Sequence, residues 1–193
     1  AHDIQMVVIG PEAPLVAGVA DVLRAAGIDV FGPDAQGATL EGSKSYSKKF
    51  MVDNGIPTAA YGTFTDKQAA LDYINEIGAP IVVKADGLAA GKGVIVAMEI
   101  EDALQAVEDC FGGAFGDAGN TVVSEEFMTG PECSLLAFVT GGKAFCMTTA
   151  QDHKRAYDGD TGPNTGGMGV YSPVPIVTDE ELTTMQDLMQ TAA

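Results

Sequence analysis

The stretch PIVVKADGLAAGKGVIVAM, from Pro80 to Met98, constrains this chain more than any other. Ile81, Val82 and Val83 on one side, and Val94, Ile95 and Val96 on the other, are β-branched and read as two strands. Gly87, Gly91 and Gly93 lie between them, with Lys84 on the first strand and Lys92 in the loop. Glycines let backbone N–H groups turn toward an anion with no Cβ in the way. Lysines add the charge that phosphate oxygens attract. The plain alternative is an ordinary hairpin with a flexible tip.

Three other glycine motifs fail here. A Walker A loop needs four residues between its glycine and the Gly-Lys pair, then Ser or Thr, and it opens a helix. In this chain only Leu88, Ala89 and Ala90 separate Gly87 from Gly91, Gly93 follows Lys92, and a strand comes next. The dinucleotide fingerprint fails on spacing. A kinase glycine loop joins two strands, but the kinase catalytic-loop and metal motifs are absent from the sequence. A phosphate-covering hairpin of another nucleotide-binding class remains.

The net charge of −17 argues against nucleic acid as a partner, because such a partner wants a basic surface. It also makes the cations conspicuous. Seven of the ten Lys and Arg residues fall in three runs: Lys44, Lys48 and Lys49; Lys84 and Lys92; Lys154 and Arg155. Clustered cations in an acidic protein suggest local work on phosphates or carboxylates. No apolar run has the length of a membrane span, and the opening residues do not read as a secretory leader. Cys110, Cys133 and Cys146 show no metal-ligand spacing and read as buried thiols of a reducing, cytoplasmic compartment.

Along the chain, Ile4 to Ile9 reads as a strand, Pro14 to Ala26 as a helix stopped by Gly27, and Ile28 to Phe31 as a second strand. This β-α-β opening suits a doubly wound α/β domain, whose ligands bind at loops such as Gly10-Pro11-Glu12. Ser43 to Asn54 reads as a basic helix. Thr65 and Gln68 form a capping box for a helix to Ile77. After the glycine hairpin come a helix from Glu101 to Phe111, a loose loop from Gly112 to Gly119 and a strand from Thr121 to Ser124. A hairpin crosses Gly141-Gly142. Asp152 to Pro175 is long, polar and glycine-rich, and reads as a functional loop or a disordered one. Thr178 and Glu181 cap a last helix.

EEFMTGPECS, from Glu125 to Ser134, follows a strand directly. Glu125 can accept from an adenine amino group, with Glu126, Phe127 and Met128 bringing backbone to the ring edge, and Glu132 can accept from ribose hydroxyls. Together with Lys48, Lys84 and the glycine hairpin, this order resembles the ATP-grasp superfamily, which clamps ATP between two α+β subdomains. The resemblance implies Lys48 and Lys84 on the ATP phosphates and the hairpin folded over them through Gly87, Gly91, Lys92 and Gly93. It implies Glu125 to Met128 on adenine and Glu132 on ribose.

GPEAPL from Gly10, EGSK from Glu41, KADGLAAGKGV from Lys84 and QDHKRAYDGDTGPNTGGMGVYSP from Gln151 are similar to the phosphoribosylamine–glycine ligase family. That resemblance implies an ATP-dependent ligase whose substrates are glycine and 5-phosphoribosylamine, acting through an acyl phosphate. Lys84 and Arg155 would be catalytic. Gly10, Pro11, Glu12, Asp152, Lys154, Arg155, Asp160, Asn164, Thr165 and Gly166 would hold substrates. It implies magnesium or manganese too, with ligands expected in a C-terminal part that this sequence lacks. Residues 1–50 would then be part of an N-terminal substrate domain with a linker helix, and 51–193 an incomplete α+β ATP-grasp domain. On this reading the chain is an inactive internal fragment of the enzyme. Another ATP-grasp ligase or carboxylase, or a nucleotide-binding module without chemistry, are the alternatives.

Overall fold

The computed structural model describes residues 3–89, 92–159, 161–165 and 167–193, and only the backbone of Pro163 and Asn164. Gly91, Asp160 and Gly166, named above, lie outside the described residues. The chain forms two units. One comprises Ala1–Asp53 and Pro57–Met128, the other Asn54–Ile56 and Thr129–Ala193.

The first unit opens with strand β1 (Met6–Val8), parallel to β2 (Asp29–Phe31). The helix expected between them is interrupted. It forms as α1 (Glu12–Val16) and α2 (Val19–Ala25), because Gly18 takes φ 79°, a left-handed conformation that ends one helix and starts the next. Helix α3 (Ala35–Gly42) was not expected. It has no strong apolar stripe, but the Asp34 side chain caps it by accepting from the Gly37 N–H. Helix α4 (Lys44–Asp53) follows where the basic run predicted it.

Next come β3 (Tyr61–Phe64), α5 (Lys67–Ile77), β4 (Ile81–Ala85), β5 (Val94–Ala97), α6 (Ile100–Phe111), a 3-10 turn at Gly116–Asn120 and β6 (Val122–Glu126). The cap of α5 is Asp66, accepting from the Ala69 N–H, and not the box proposed from Thr65 and Gln68. An Asp one position closer satisfies the same orphan donor with a charge. The four strands form one antiparallel sheet in the order β3-β6-β4-β5.

Period-two alternation gives this sheet two different faces. Ile81, Val83, Ala85, Ala97 and Val122 pack with Ala70 and Ile74 of α5 and with Ala103, Ala106, Val107 and Cys110 of α6. The helical positions recur at three- and four-residue intervals, the stripe a helix needs to cover a sheet. The cross-strand register then puts Tyr61, Val82, Lys84, Val94, Val96, Val123 and Glu125 on the opposite face. So the alternation that builds the core also lifts Lys84 and Glu125 out of it.

In the second unit β7 (Ala137–Thr140) and β8 (Lys143–Cys146) form a hairpin, with positive φ at both Gly141 and Gly142 as a two-residue turn of the primed type requires. The polar stretch from Asp152 is more ordered than a loop. Strand β9 (Gln151–Asp152) pairs with β12 (Val170–Tyr171), and β10 (Arg155–Tyr157) pairs with β11 (Thr161–Asn164). Helix α7 (Asp179–Ala192) carries the expected capping box of Thr178 and Glu181. The Thr178 hydrogen bonds hold the Glu181 carboxyl below its usual range. Cys110 is buried as expected, but Cys133, in an irregular segment, and Cys146, at the end of β8, are only half-buried.

Ser124 stands on the core face of β6, fully buried, and its hydroxyl has no hydrogen-bond partner among the described residues. An unpaired buried hydroxyl costs about 1–3 kcal/mol, and alanine nearly preserves the volume. Ser124→Ala is therefore expected to raise the melting temperature. A clear fall in thermal unfolding would show a hidden partner for the hydroxyl.

Candidate functional site

Three elements of the first unit converge on Glu125. It lies in the central strand β6 and its side chain is only 9% exposed. One carboxylate oxygen meets the Lys84 ammonium at 2.9 Å, from the neighbouring strand β4. The other meets the Lys48 ammonium at 3.0 Å, from α4. Removing one partner from such a buried pair costs about 3–5 kcal/mol, because a charge is left stranded.

The two lysines are not equivalent. Lys48 is buried, donates to Thr58 Oγ1 at 2.7 Å and to the Ala59 carbonyl at 3.4 Å, and sits 5.5 Å from the Tyr61 ring centroid. Lys84 has Glu125 as its only ionic partner among the described residues and is 24% exposed. It faces a cavity of about 470 Å³ whose wall includes Lys44, Lys48, Gly87, Gly93 and Glu125. Within this triad two lysines and one carboxylate leave one positive charge; Lys44, Glu12 and Glu41 also line the wall, which holds three lysines and three glutamates in all.

Lys44 entered the sequence reading through a charge run and the EGSK motif, without a role of its own, yet it lines the cavity here. Its ammonium donates to the Gly87 carbonyl at 2.9 Å and to that of Asp86 at 3.4 Å. Burial lowers its pKa below the usual lysine range, with the Lys84 charge pushing the same way and Asp86, Glu41 and Glu125 opposing. It is held by Asp86, at the root of the glycine hairpin. The Asp86 carboxylate accepts from Ser43 Oγ and from the Ser45 N–H, and its carbonyl accepts from the Lys44 N–H. Asp86 thus caps the start of α4 from a distant part of the chain. The signal was present, since Ser43 is an ordinary helix cap, but its distant partner has no local signature.

The neck of the hairpin is close-packed. A Cβ on Gly93 would lie 2.7 Å from Ala89 Cβ and 3.1 Å from Ala85 Cβ, so only glycine fits. The Gly93 carbonyl accepts from the Ala85 N–H at 2.8 Å. Lys92 is exposed and is not part of the cavity wall. Glu126 is exposed and accepts from the Ala60 N–H at 3.3 Å, while Phe127 is half-buried and Met128 exposed. The structure places Glu125 in an ion triad with Lys48 and Lys84. Val82, Val94 and Val96 form an apolar strip on the same sheet face as Lys84, a feature that the sequence reading did not single out.

Gly10 and Glu12 line a second cavity of about 440 Å³ with Pro33, Gly37, Leu40 and Glu41, and Pro11 precedes α1 as its cap residue. Glu12, Leu40 and Glu41 belong to both cavities, so the two adjoin. In the second unit Lys154 lies 3.4 Å from Glu132 and 3.8 Å from Asp152. Arg155 donates to the Gly162 carbonyl at 2.7 Å across its hairpin. The Thr165 N–H donates to the Lys154 carbonyl, and its hydroxyl accepts from the Gly167 N–H. Asn164 pairs with Arg155 through the backbone. Among the described residues no group of three His, Cys, Asp or Glu side chains could hold a metal ion. Among the same residues no helix is long and apolar enough to cross a membrane.

Solved structures share this architecture. The biotin carboxylase domain of the Hydrogenobacter thermophilus 2-oxoglutarate carboxylase, solved with ADP, superposes with a TM-score of 0.77 at 20% identity, over 98% of this chain and 42% of that one. The fold is an ATP-grasp fold, a class whose ligases use ATP and divalent metal ions. Sequence models of phosphoribosylglycinamide synthetase match throughout, its N domain over residues 1–41 and its ATP-grasp (A) domain over 42–193. The chain belongs to the phosphoribosylglycinamide synthetase family. The phosphoribosylamine–glycine ligase of Yersinia pestis is 59% identical over 181 residues, 93% of this chain and 42% of that protein. The Rhizobium meliloti ligase is 56% identical over 98% of this chain and 45% of its own length. The crystal structure of the Thermotoga maritima ligase matches with a TM-score of 0.85 at 33% identity, over all of this chain and 47% of that one. The chain thus spans less than half the length of these relatives.

Asp86→Ala would leave two donors at the start of α4 without their acceptor. A loss of about 1–3 kcal/mol is expected, with Asp86→Asn retaining part of it. Denaturant titration of both variants checks this; equal stability of Asp86→Ala and the parent would show that the capping bonds contribute nothing.

Proposed function

We propose that the protein carrying this chain joins glycine to 5-phosphoribosylamine at the expense of ATP, through glycyl phosphate. The observation that carries this reading is the placement of the Lys84 and Lys44 ammonium groups on one glycine-lined cavity, in a member of this family. A glycine carboxylate oxygen would attack the γ-phosphorus of ATP and ADP would leave. The phosphoribosylamine nitrogen would then attack the acyl carbon, lose a proton and expel phosphate, giving glycinamide ribonucleotide.

The residues suit the charges that these steps develop. A carboxylate is a poor electrophile, and phosphorylation makes its oxygen a leaving group. Charge gathers on the transferring phosphoryl group, where fixed cations act without reorganising. On this reading Lys84 and Lys44 meet phosphate oxygens, Gly87 and Gly93 allow close backbone approach, and Val82 and Val96 give the base an apolar surface. Phe127, Met128 and Glu132 are assigned to the nucleoside as well. Gly10, Pro11 and Glu12, with Asp152, Lys154, Arg155, Asn164 and Thr165, are assigned to glycine and phosphoribosylamine. Magnesium or manganese would screen the phosphates when bound; the described residues offer no ligand set for it, and no step here is routed through it. Free thiols suit a cytoplasmic setting. Residues 1–50 and 51–193 are proposed as the substrate and ATP-grasp portions.

An ADP-release assay on the protein carrying this chain tests the proposal. Release should require both glycine and phosphoribosylamine. Lys84→Met should lower kcat by roughly a hundredfold, the scale of losing one preorganised donor. Arg155→Ala should depress kcat/KM for phosphoribosylamine more than for ATP. ADP release that ignores the identity of the amine would point to another ATP-grasp ligase, and no release at all to a binding module.

A further inference from the structure

We propose that Lys48 is a positioning residue and not a nucleotide ligand: it neutralises Glu125 and so leaves the charge of Lys84 available to an anion. The inference rests on the nucleotide reading above and assigns a role within that site.

A lysine ammonium has three protons to donate. Those of Lys48 have three acceptors within reach: Glu125 Oε2 at 3.0 Å, Thr58 Oγ1 at 2.7 Å and the Ala59 carbonyl at 3.4 Å. With a side chain 8% exposed, Lys48 cannot reach a phosphate without breaking a buried bond and leaving Glu125 half-paired. Its neighbour one helical turn earlier, Lys44, is half-buried and uses two carbonyls, which leaves a proton for a ligand. The two lysines therefore share a face of α4 but have different work.

Charge balance explains why a buried lysine is needed. Glu125 touches both ammonium groups, one through each oxygen. Without Lys48, the whole carboxylate charge would fall on Lys84, and an incoming anion would meet a neutral pair. With Lys48 in place, the triad keeps one surplus positive charge. Lys84 is 24% exposed against 8% for Lys48, so that charge is presented at the open end. Glu125 in turn holds Lys84 at a fixed point on the cavity wall.

Equilibrium titration with ATP, alongside thermal melting, tests this on the protein carrying this chain. The variants are K84M, K48M and the double variant K48M/E125Q. K84M and K48M are each expected to weaken ATP binding roughly tenfold or more, as losing a charge-assisted contact does. K48M/E125Q removes one charge of each sign, so Lys84 keeps its own, and affinity should return to within about threefold of the parent. A double variant as weak as K48M would show Lys48 or Glu125 touching the nucleotide directly and would overturn the proposal. ATP affinity unchanged in K48M, with only the melting temperature lowered, would overturn it also, by making Lys48 purely structural. If K48M does not fold, the double variant compared with the parent and K84M still decides. ATP affinity indifferent to K84M would bring down the nucleotide reading itself, and this inference with it.

Discussion

The buried carboxylate of Glu125 is the fixed point of the first unit. It sits in the central strand of a four-stranded sheet, where backbone groups are paired on both sides and side chains have little freedom. One lysine reaches it along the sheet and another from a helix, so strand register and helix placement are tied to a single group. Burying that carboxylate is tolerable only because both oxygens are matched. A slip of one residue in β4 would send Lys84 into the apolar core and Val83 to the cavity. The ion triad and the hydrophobic core therefore enforce the same register.

That coupling explains the division of the sheet. One face is covered by α5 and α6 through small and β-branched residues, which lets the helices approach closely. The other carries a valine strip, the Lys84–Glu125–Lys48 triad completed from α4, and the root of the glycine hairpin. An apolar strip thus lies beside half-buried ammonium groups, the pairing that the proposed nucleotide reading uses. No single motif creates this; it follows from alternation on three strands at once.

Much of this was legible in the sequence, and the reasons are specific. Strands β4 and β5 announce themselves by β-branched runs around glycines, and α6 and α7 by periodicity or a capping box. The break at Gly18 was missed because leucine, valine and alanine continue the helical pattern on both sides of it. Helix α3 was missed because its amphipathic signal is weak. The short strands β9 to β12 were missed because strands of two to four residues in a polar, glycine-rich stretch look like loop. At the site, residue types were readable but their partners were not. Lys44 and Lys48 are four positions apart and look alike, and only packing shows one taken up by Thr58, Ala59 and Glu125 and the other facing the cavity. The pairing of Glu125 with two distant lysines was not legible, because nothing local announces it.

The bond between Asp86 and the start of α4 bears on the order in which the chain acquires its structure. The donors at the head of that helix wait for an acceptor 41 residues further along, beyond β3, α5 and β4. Until β4 has taken its place, α4 has only the Ser43 hydroxyl at its head and remains a marginal ten-residue helix. Its completion is thus a late, nonlocal event, tied to closure of a long loop. A nascent chain ending before the hairpin root would hold this helix without its anchor. The lysines it carries would then find their positions only when the glycine hairpin arrives, so the helix and sheet sides of the cavity mature together.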